Sequence, residues 1–193
     1  MDVQFFDDGI FALEDFLAAS ECAGYIRDSE RLGYAEASIQ TLRGDEVRRD
    51  VRNNERILLD DAALSTHLFE RAHDYLPPKL HGSSVYGWSL SGFNERWRFY
   101  RYTPRQQFDW HVDGIVRLAS DKQSALTFMI YLNDEFEGGN TDFDTDSGPL
   151  SVRPTRGTAL VFPHKVRHRG APVVSGVKYV LRSDVMYQAP TKQ

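Results

Sequence analysis

From about residue 84 to residue 187 the chain is a succession of short runs rich in Tyr, Phe, Val, Ile, Thr and Trp, separated by clusters of Gly, Pro, Asn and Asp. Runs of that composition suit a pleated, half-buried backbone and read as strands. The candidates are residues 97–102, 108–113, 125–132, 141–143, 158–162, 166–170 and 178–187. Two helices are expected ahead of them. Ser20 caps one that runs to about Leu32 and stops at Gly33. Asp60 or Asp61 caps the second, whose stripe of Leu64, Leu68, Ala72 and Tyr75 has helical spacing and meets Pro77 and Pro78. Helices first and antiparallel strands afterwards predict an α+β, mainly β fold: a sandwich or barrel buttressed on one side by helices. No repeat, linker or low-complexity tract divides the chain. Residues 1–193 are therefore expected to form a single domain, with a helical N-terminal part over 1–83 and a β core over 84–190.

Composition narrows the function. With 193 residues, 41% hydrophobic and 26% charged, the chain has the makeup of a soluble protein with a real core. The first twenty residues carry Asp7, Asp8, Glu14 and Asp15 and no Lys or Arg, unlike a signal peptide, and no run is long enough to span a bilayer. No membrane association is expected, and the cytoplasm is the expected location. Cys22 is the only cysteine, which excludes an internal disulfide and a thiolate cluster, so any metal must be held by His, Asp or Glu. A net charge of −5 argues against nucleic acid as a partner. Locally, 133–146 is acidic and 153–169 contains Arg153, Arg156, Lys165, Arg167 and Arg169. These segments read as two solvated loops or as a charged rim that guides a substrate.

Within 108–114 (FDWHVDG), an extended backbone puts His111 and Asp113 on one face and Trp110 and Val112 on the other. An imidazole and a carboxylate side by side, joined by a second imidazole from elsewhere, make the 2-His-1-carboxylate set that leaves positions open on iron(II). His164 and His168 are the candidates for the third ligand. His168 is preferred, because the turn after it leads into a strand bearing Lys178, a cation able to return toward the metal. His164, just after Leu160-Val161-Phe162, reads as a loop residue or a hydrogen-bond donor behind the ligands. Arg182 lies two pleats beyond Lys178 on the same face and competes with it for an anion, unless it pairs with Asp184 or another acid.

In order and spacing the chain resembles the prolyl 4-hydroxylase-type branch of the iron(II)/2-oxoglutarate dioxygenases. The resemblance runs over residues 98–187. It is carried by Arg101-Tyr102-Thr103-Pro104 ahead of His111-Val112-Asp113, by Thr127 with Tyr131-Leu132-Asn133, and by Gly138-Gly139-Asn140-Thr141-Asp142-Phe143. Pro154, Gly157 and Phe162 follow, and then His168 with Pro172-Val173, Gly176 and Lys178. It implies a double-stranded β-helix with His111, Asp113 and His168 as iron ligands. It also implies that Lys178 holds the distal carboxylate of 2-oxoglutarate, with Tyr131, Tyr102, Thr127 and Arg182 as further cofactor-pocket candidates. The implied cofactors are Fe(II), with 2-oxoglutarate and O2 as cosubstrates and ascorbate as a candidate reductant. One departure is visible: where the family often has Gly after Tyr-x-Pro, this chain has Arg105, which bears on the loop entering the pocket.

The activity implied is hydroxylation of an unactivated C–H bond with release of succinate and CO2, with a prolyl residue of a peptide or protein as the leading substrate. The presence of Asp113 favours hydroxylation over halogenation, since a halide would need that position. Fold and metal set do not fix the substrate. Alternatives are a free amino acid or small metabolite, for which a lidded cavity with an Arg anchor would speak, and a catalytically silent β-helix binding module. Residues 114–123 and 88–97, with Arg96, Arg98 and Arg117, lie where a substrate would be covered. The run from Arg48 to Arg56 reads first as a structural or rim segment and second as a substrate contact. The sequence does not determine the oligomeric state.

Overall fold

The computed structural model describes residues 1–41, 44–80 and 85–190. The first half contains β1 (Val3–Asp7), β2 (Ile10–Leu13), α1 (Ala19–Leu32), β3 (Ala35–Glu36), β4 (Ile39–Thr41), β5 (Gly44–Glu46), β6 (Glu55–Asp60) and α2 (Ala62–Ala72). A single 3₁₀ turn (His73–Tyr75) tightens the end of α2. There follow β7 (Ser89–Phe93), β8 (Arg96–Tyr102), β9 (Phe108–His111), β10 (Arg117–Ala119) and β11 (Lys122–Tyr131). Then come β12 (Phe136–Gly138), β13 (Thr141–Thr145), β14 (Gly148–Val152), β15 (Ala159–Pro163), β16 (Arg167–Gly170), β17 (Val173–Gly176) and β18 (Lys178–Gln188).

Ten strands form a major antiparallel sheet whose order is β1-β2-β15-β11-β18-β8-β6-β3, with β10 attached to β11 and β7 to β18. A minor sheet, β14-β13-β16-β9, faces it. This is the double-stranded β-helix arrangement. Period-two alternation divides the major sheet's side chains between two cores. Trp97, Phe99, Phe128, Ile130, Leu181 and Val185 point to one side, where Phe16, Cys22, Leu68 and Ala72 from the helical segments cover them. Tyr100, Tyr102, Met129, Tyr131, Phe162 and Val180 point to the other, against Phe143 and Val152 of the minor sheet.

Residues 1–83 are thus not simply helical. They supply β1, β2, β3 and β6 to the major sheet, β2 pairing with β15 and β6 with β8. The two helices stand close to where the sequence puts them. Asp61 caps α2 by accepting from the Leu64 amide at 2.9 Å. Ser20 lies inside α1 and does not cap it; the Glu21 carboxylate accepts from the Ala18 amide at 2.7 Å instead. Gly157 docks the N-terminal part. A Cβ there would come within 2.2 Å of the Leu17 carbonyl oxygen, and the Gly157 carbonyl accepts from the Leu17 amide at 2.9 Å.

Candidate active site

The site lies between the sheets, on the side of the major sheet away from the helices. Strand β9 ends at His111, and β16 pairs with it so that His168 stands directly opposite His111. Asp113 sits two residues beyond the strand, its amide donating to the His164 carbonyl at 2.9 Å. One ligand atom from each of His111, Asp113 and His168 lies within 4.8 Å of the others. His111 Nε2 is 3.8 Å from Asp113 Oδ1, and His168 Nε2 is 3.6 Å from Asp113 Oδ2. Each ring's other nitrogen is engaged: His111 Nδ1 with the Asp109 carbonyl at 2.7 Å, His168 Nδ1 with the Val166 carbonyl at 2.9 Å. A carbonyl only accepts, so both Nδ1 atoms carry the proton and both Nε2 lone pairs face the shared space. Burial, reinforced by His168, pushes the His111 imidazole down to about 3, and burial also lowers His168. Two neutral imidazoles and a carboxylate in this arrangement fit a divalent iron site.

The carboxylate is held from behind. Burial alone would raise the Asp113 carboxyl, but Arg182 and the imidazoles of His168 and His111 keep it well below the usual carboxylate range. Arg182 Nη2 meets Asp113 Oδ2 at 2.8 Å and Asp184 Oδ1 at 3.3 Å. Thr127 donates its hydroxyl proton to the same Oδ2. Its oxygen then accepts from His164 Nδ1 at 3.0 Å, and His164 Nε2 takes the Ser124 hydroxyl at 2.8 Å. With Oδ2 occupied by two protein donors, Oδ1 is the oxygen left with lone pairs for a metal. His164 is accordingly 2% exposed and a hydrogen-bonding residue behind the ligand set.

Four residues along the same face of β11, the environment changes. Tyr131 is fully buried, its hydroxyl 2.7 Å from Thr141 Oγ1. Lys178 Nζ lies 5.3 Å from the Tyr131 ring centroid and 5.4 Å from that of Tyr102, and donates to the Gly139 carbonyl at 2.6 Å. Among the described residues no acid pairs with Lys178, and burial pushes its ammonium down to about 7. Gly138 makes this corner possible, since a Cβ there would stand 2.5 Å from the Pro172 carbonyl oxygen. Met129, Phe162 and Val180 form an apolar stretch of the cavity that joins Lys178 to His111, Asp113 and His168.

The expected residues therefore divide into two groups. His111, Asp113 and His168 come together; Lys178, Tyr131 and Tyr102 come together at the other end of the cavity. Thr127, a cofactor-pocket candidate, bonds to Asp113, and Arg182, expected either beside 2-oxoglutarate or paired with Asp184 or another acid, pairs with Asp113 and Asp184; two pleats separate both from Tyr131 and Lys178. Arg182 still lines the cavity. The acidic and basic segments neutralise each other across strands: Arg167 pairs with Asp144, Arg169 with Asp142 and Arg156 with Glu135. Arg96 is taken by Asp60 and Arg98 by Asp184, and Arg117 bonds to Gln123. Arg105 stands where glycine was expected and adopts a left-handed φ of 73°, its amide bonded to the Val173 carbonyl at 2.8 Å.

Comparison with known proteins agrees with this geometry. Residues 97–183 match the model of the 2OG-Fe(II) oxygenase superfamily. The chain is 28% identical to prolyl 4-hydroxylase 1 of Arabidopsis thaliana over 195 residues, covering 88% of this chain and 66% of that one. It is 33% identical over 91 residues to a PKHD-type hydroxylase of Xylella fastidiosa strain M23, covering 42% of this chain and 40% of the other. The chain thus spans two thirds or less of the length of these relatives. Its fold matches the crystal structure of a viral collagen prolyl hydroxylase from Paramecium Bursaria Chlorella virus-1 in complex with 2OG. The TM-score is 0.62 at 20% identity, covering 92% and 95% of the two chains. Over residues 97–183 the matched segment and the His111-Asp113-His168 donor set are those of a 2OG-Fe(II) oxygenase, a class that uses iron(II), 2-oxoglutarate and O2. The relatives and structures it is similar to include prolyl hydroxylases. No helix among the described residues is long and apolar enough to cross a membrane.

Proposed function

We propose that the chain hydroxylates an unactivated C–H bond of a prolyl residue in a peptide or protein, consuming O2 and 2-oxoglutarate and releasing succinate and CO2. The observation that carries the activity is the pairing, across one cavity, of the His111-Asp113-His168 donor set with a buried lysine that no acid among the described residues neutralises. In this reading His111, Asp113 and His168 hold iron(II), and the metal with its cosubstrate supplies the oxidising chemistry. Lys178 takes the distal carboxylate of 2-oxoglutarate. A buried ammonium and a buried carboxylate each cost free energy alone and satisfy one another together. Tyr131 and Tyr102 shape that end and keep water from it. Thr127 and Arg182 hold Asp113 so that a single oxygen is offered to the metal.

The prolyl assignment rests on similarity to prolyl hydroxylases from a plant and a virus. Cys22, buried and alone, suits a reducing compartment, and we assign the chain to the cytoplasm on that ground. Anaerobic addition of iron(II) and 2-oxoglutarate is expected to give a weak visible charge-transfer band. Mass spectrometry of prolyl peptides is then expected to show a gain of one oxygen. Absence of the band together with absence of succinate release would overturn the activity. Gain of oxygen on non-prolyl compounds alone would overturn the substrate.

A further inference from the structure

Among the described residues two cationic side chains are buried, Lys178 and Arg52, and neither has an acid beside it. The proposed reaction gives Lys178 an anion. It gives Arg52 none. Arg52 is 4% exposed, whereas every other described arginine is more open to solvent. Its Nε donates to Asn54 Oδ1 at 2.7 Å, and Nη2 is closed off from water with no hydrogen-bond partner among the described residues. A buried guanidinium with one face of its donor fork unused is costly unless something arrives to satisfy it.

The surroundings of Arg52 say from where. Its guanidinium carbon lies 4.3 Å from the Phe108 ring centroid and 4.6 Å from that of Tyr100, and both rings line the active-site cavity. Phe108 is also stacked on His111, with centroids 3.5 Å apart and planes at 16°. His111 takes one face of that ring, so Arg52 holds the other. Arg52 is therefore one side-chain layer from the cavity and one ring from His111. The backbone pins it there: Arg52 bridges to Phe108 on β9, and the Asp109 amide donates to the Val51 carbonyl at 2.8 Å. Asn54, fully buried, fixes the guanidinium plane. Phe108 is only partly buried, so it is the thinnest part of the wall between Arg52 and the cavity.

We propose that Arg52 is a substrate-recognition residue that receives a carboxylate carried by the primary substrate close to the carbon that is oxidised. This rests on the dioxygenase reading and refines its substrate. The carboxylate has two sources, the α-carboxylate of a free amino acid or an acidic side chain next to the target residue of a peptide. A guanidinium packed on the Phe108 and Tyr100 rings suits a planar two-oxygen acceptor in either case.

The test is binding to full-length protein loaded with Mn(II) and N-oxalylglycine, which fills the Lys178 end and prevents turnover. Thermal shift and calorimetry compare probes that differ only in one carboxylate: L-proline with L-prolinamide, and N-acetyl-Ala-Pro-Glu-amide with N-acetyl-Ala-Pro-Gln-amide. The other proteinogenic amino acids and their carboxamides extend the comparison past proline. The acid of at least one pair is expected to bind tenfold or more tightly than its neutral partner, and which pair shows it names the source. Arg52→Gln is expected to bring that ratio below about threefold, with Arg52→Lys in between. The acid-to-neutral comparison in the wild type needs no variant, so a poorly folding Arg52→Gln leaves the test standing. Equal affinity within every pair, no binding by any probe, or a ratio that survives in folded Arg52→Gln overturns the proposal. So does a loss confined to 2-oxoglutarate affinity in Arg52→Gln, read from the visible band, since the anion would then be the cosubstrate. Prolyl probes bound equally with and without the carboxylate leave the prolyl reading intact. Acid discrimination confined to non-prolyl compounds supports Arg52 and overturns the prolyl reading.

Discussion

The two faces of the major sheet share strands, register and backbone, yet they solve different problems. On the helix side, β8, β11 and β18 present Trp97, Phe99, Phe128, Ile130, Leu181 and Val185, and nearly every group there is apolar. On the site side the same strands present Tyr100, Tyr102, Thr127, Tyr131, Lys178 and Arg182, where buried charges sit among aromatic rings. A strand's alternation makes this division at no extra length, since each residue's neighbour points the other way. The helix side gives the protein its stability through apolar burial and close packing. The site side gives some of that back to hold charges ready for ligands.

Substitutions on opposite faces should therefore separate activity from stability. The largest effect is expected from His111→Ala or Asp113→Ala, which should abolish succinate formation and the visible band; His111→Ala should do so with little change in the metal-free unfolding curve, whereas Asp113→Ala also removes an acid from Arg182 and should cost stability. Phe128→Ala on the helix side should do the reverse. It removes a fully buried ring packed on Phe16 and Phe93 and is expected to cost about 3–5 kcal/mol in denaturant unfolding, with the remaining folded protein still binding metal.

Lys178→Met sharpens the contrast, because it should weaken 2-oxoglutarate binding by roughly 30-fold or more and yet stabilise the ligand-free protein at pH 6 by about 1–3 kcal/mol. The sign follows from burial. Lys178 has a folded pKa of about 7, below the unfolded 10.5, so the folded state holds fewer protons and its stability rises with pH between those values. For binding the sense is opposite: the carboxylate needs the ammonium, so affinity should fall about tenfold per pH unit above pH 7, and Lys178→Arg should remove that dependence. Thr127→Val takes one donor from Asp113 and should lower metal affinity about 10–100-fold, measured by metal titration. The smallest effect belongs to the loop entering the site, where Arg105→Gly relieves a left-handed φ and is expected to raise stability by about 1 kcal/mol.

Much of the site side was legible because its signals are local. His111 and Asp113 announce themselves by spacing, and the strand leading to Lys178 by its composition. The strands at 97–102 and 178–187 were found to within a residue at each end. What escaped depends on contacts far apart in sequence. Ile10–Leu13 is buried at every position, so it shows no alternation, and only its pairing with β15 makes it a strand. Arg52 reads as part of a structural or rim segment, and its burial beside Phe108 comes from a bridge that no local pattern announces. Arg182 takes the alternative its sequence context offered, pairing with Asp184 and with Asp113, and Thr127 bonds to Asp113, a contact set by strand register and not by local pattern. Arg105 shows the converse, a non-glycine residue held in a glycine conformation by the Val173 carbonyl.

The direct opposition of His168 and His111 across β16 and β9 has a consequence for quality control. A slip of one residue in β9 would turn His111 outward and Trp110 inward, leaving the chain compact but blind to metal. If His111, Asp113 and His168 hold iron as proposed, metal binding would report the register of β9, since only a chain with His111 opposite His168 presents the full donor set.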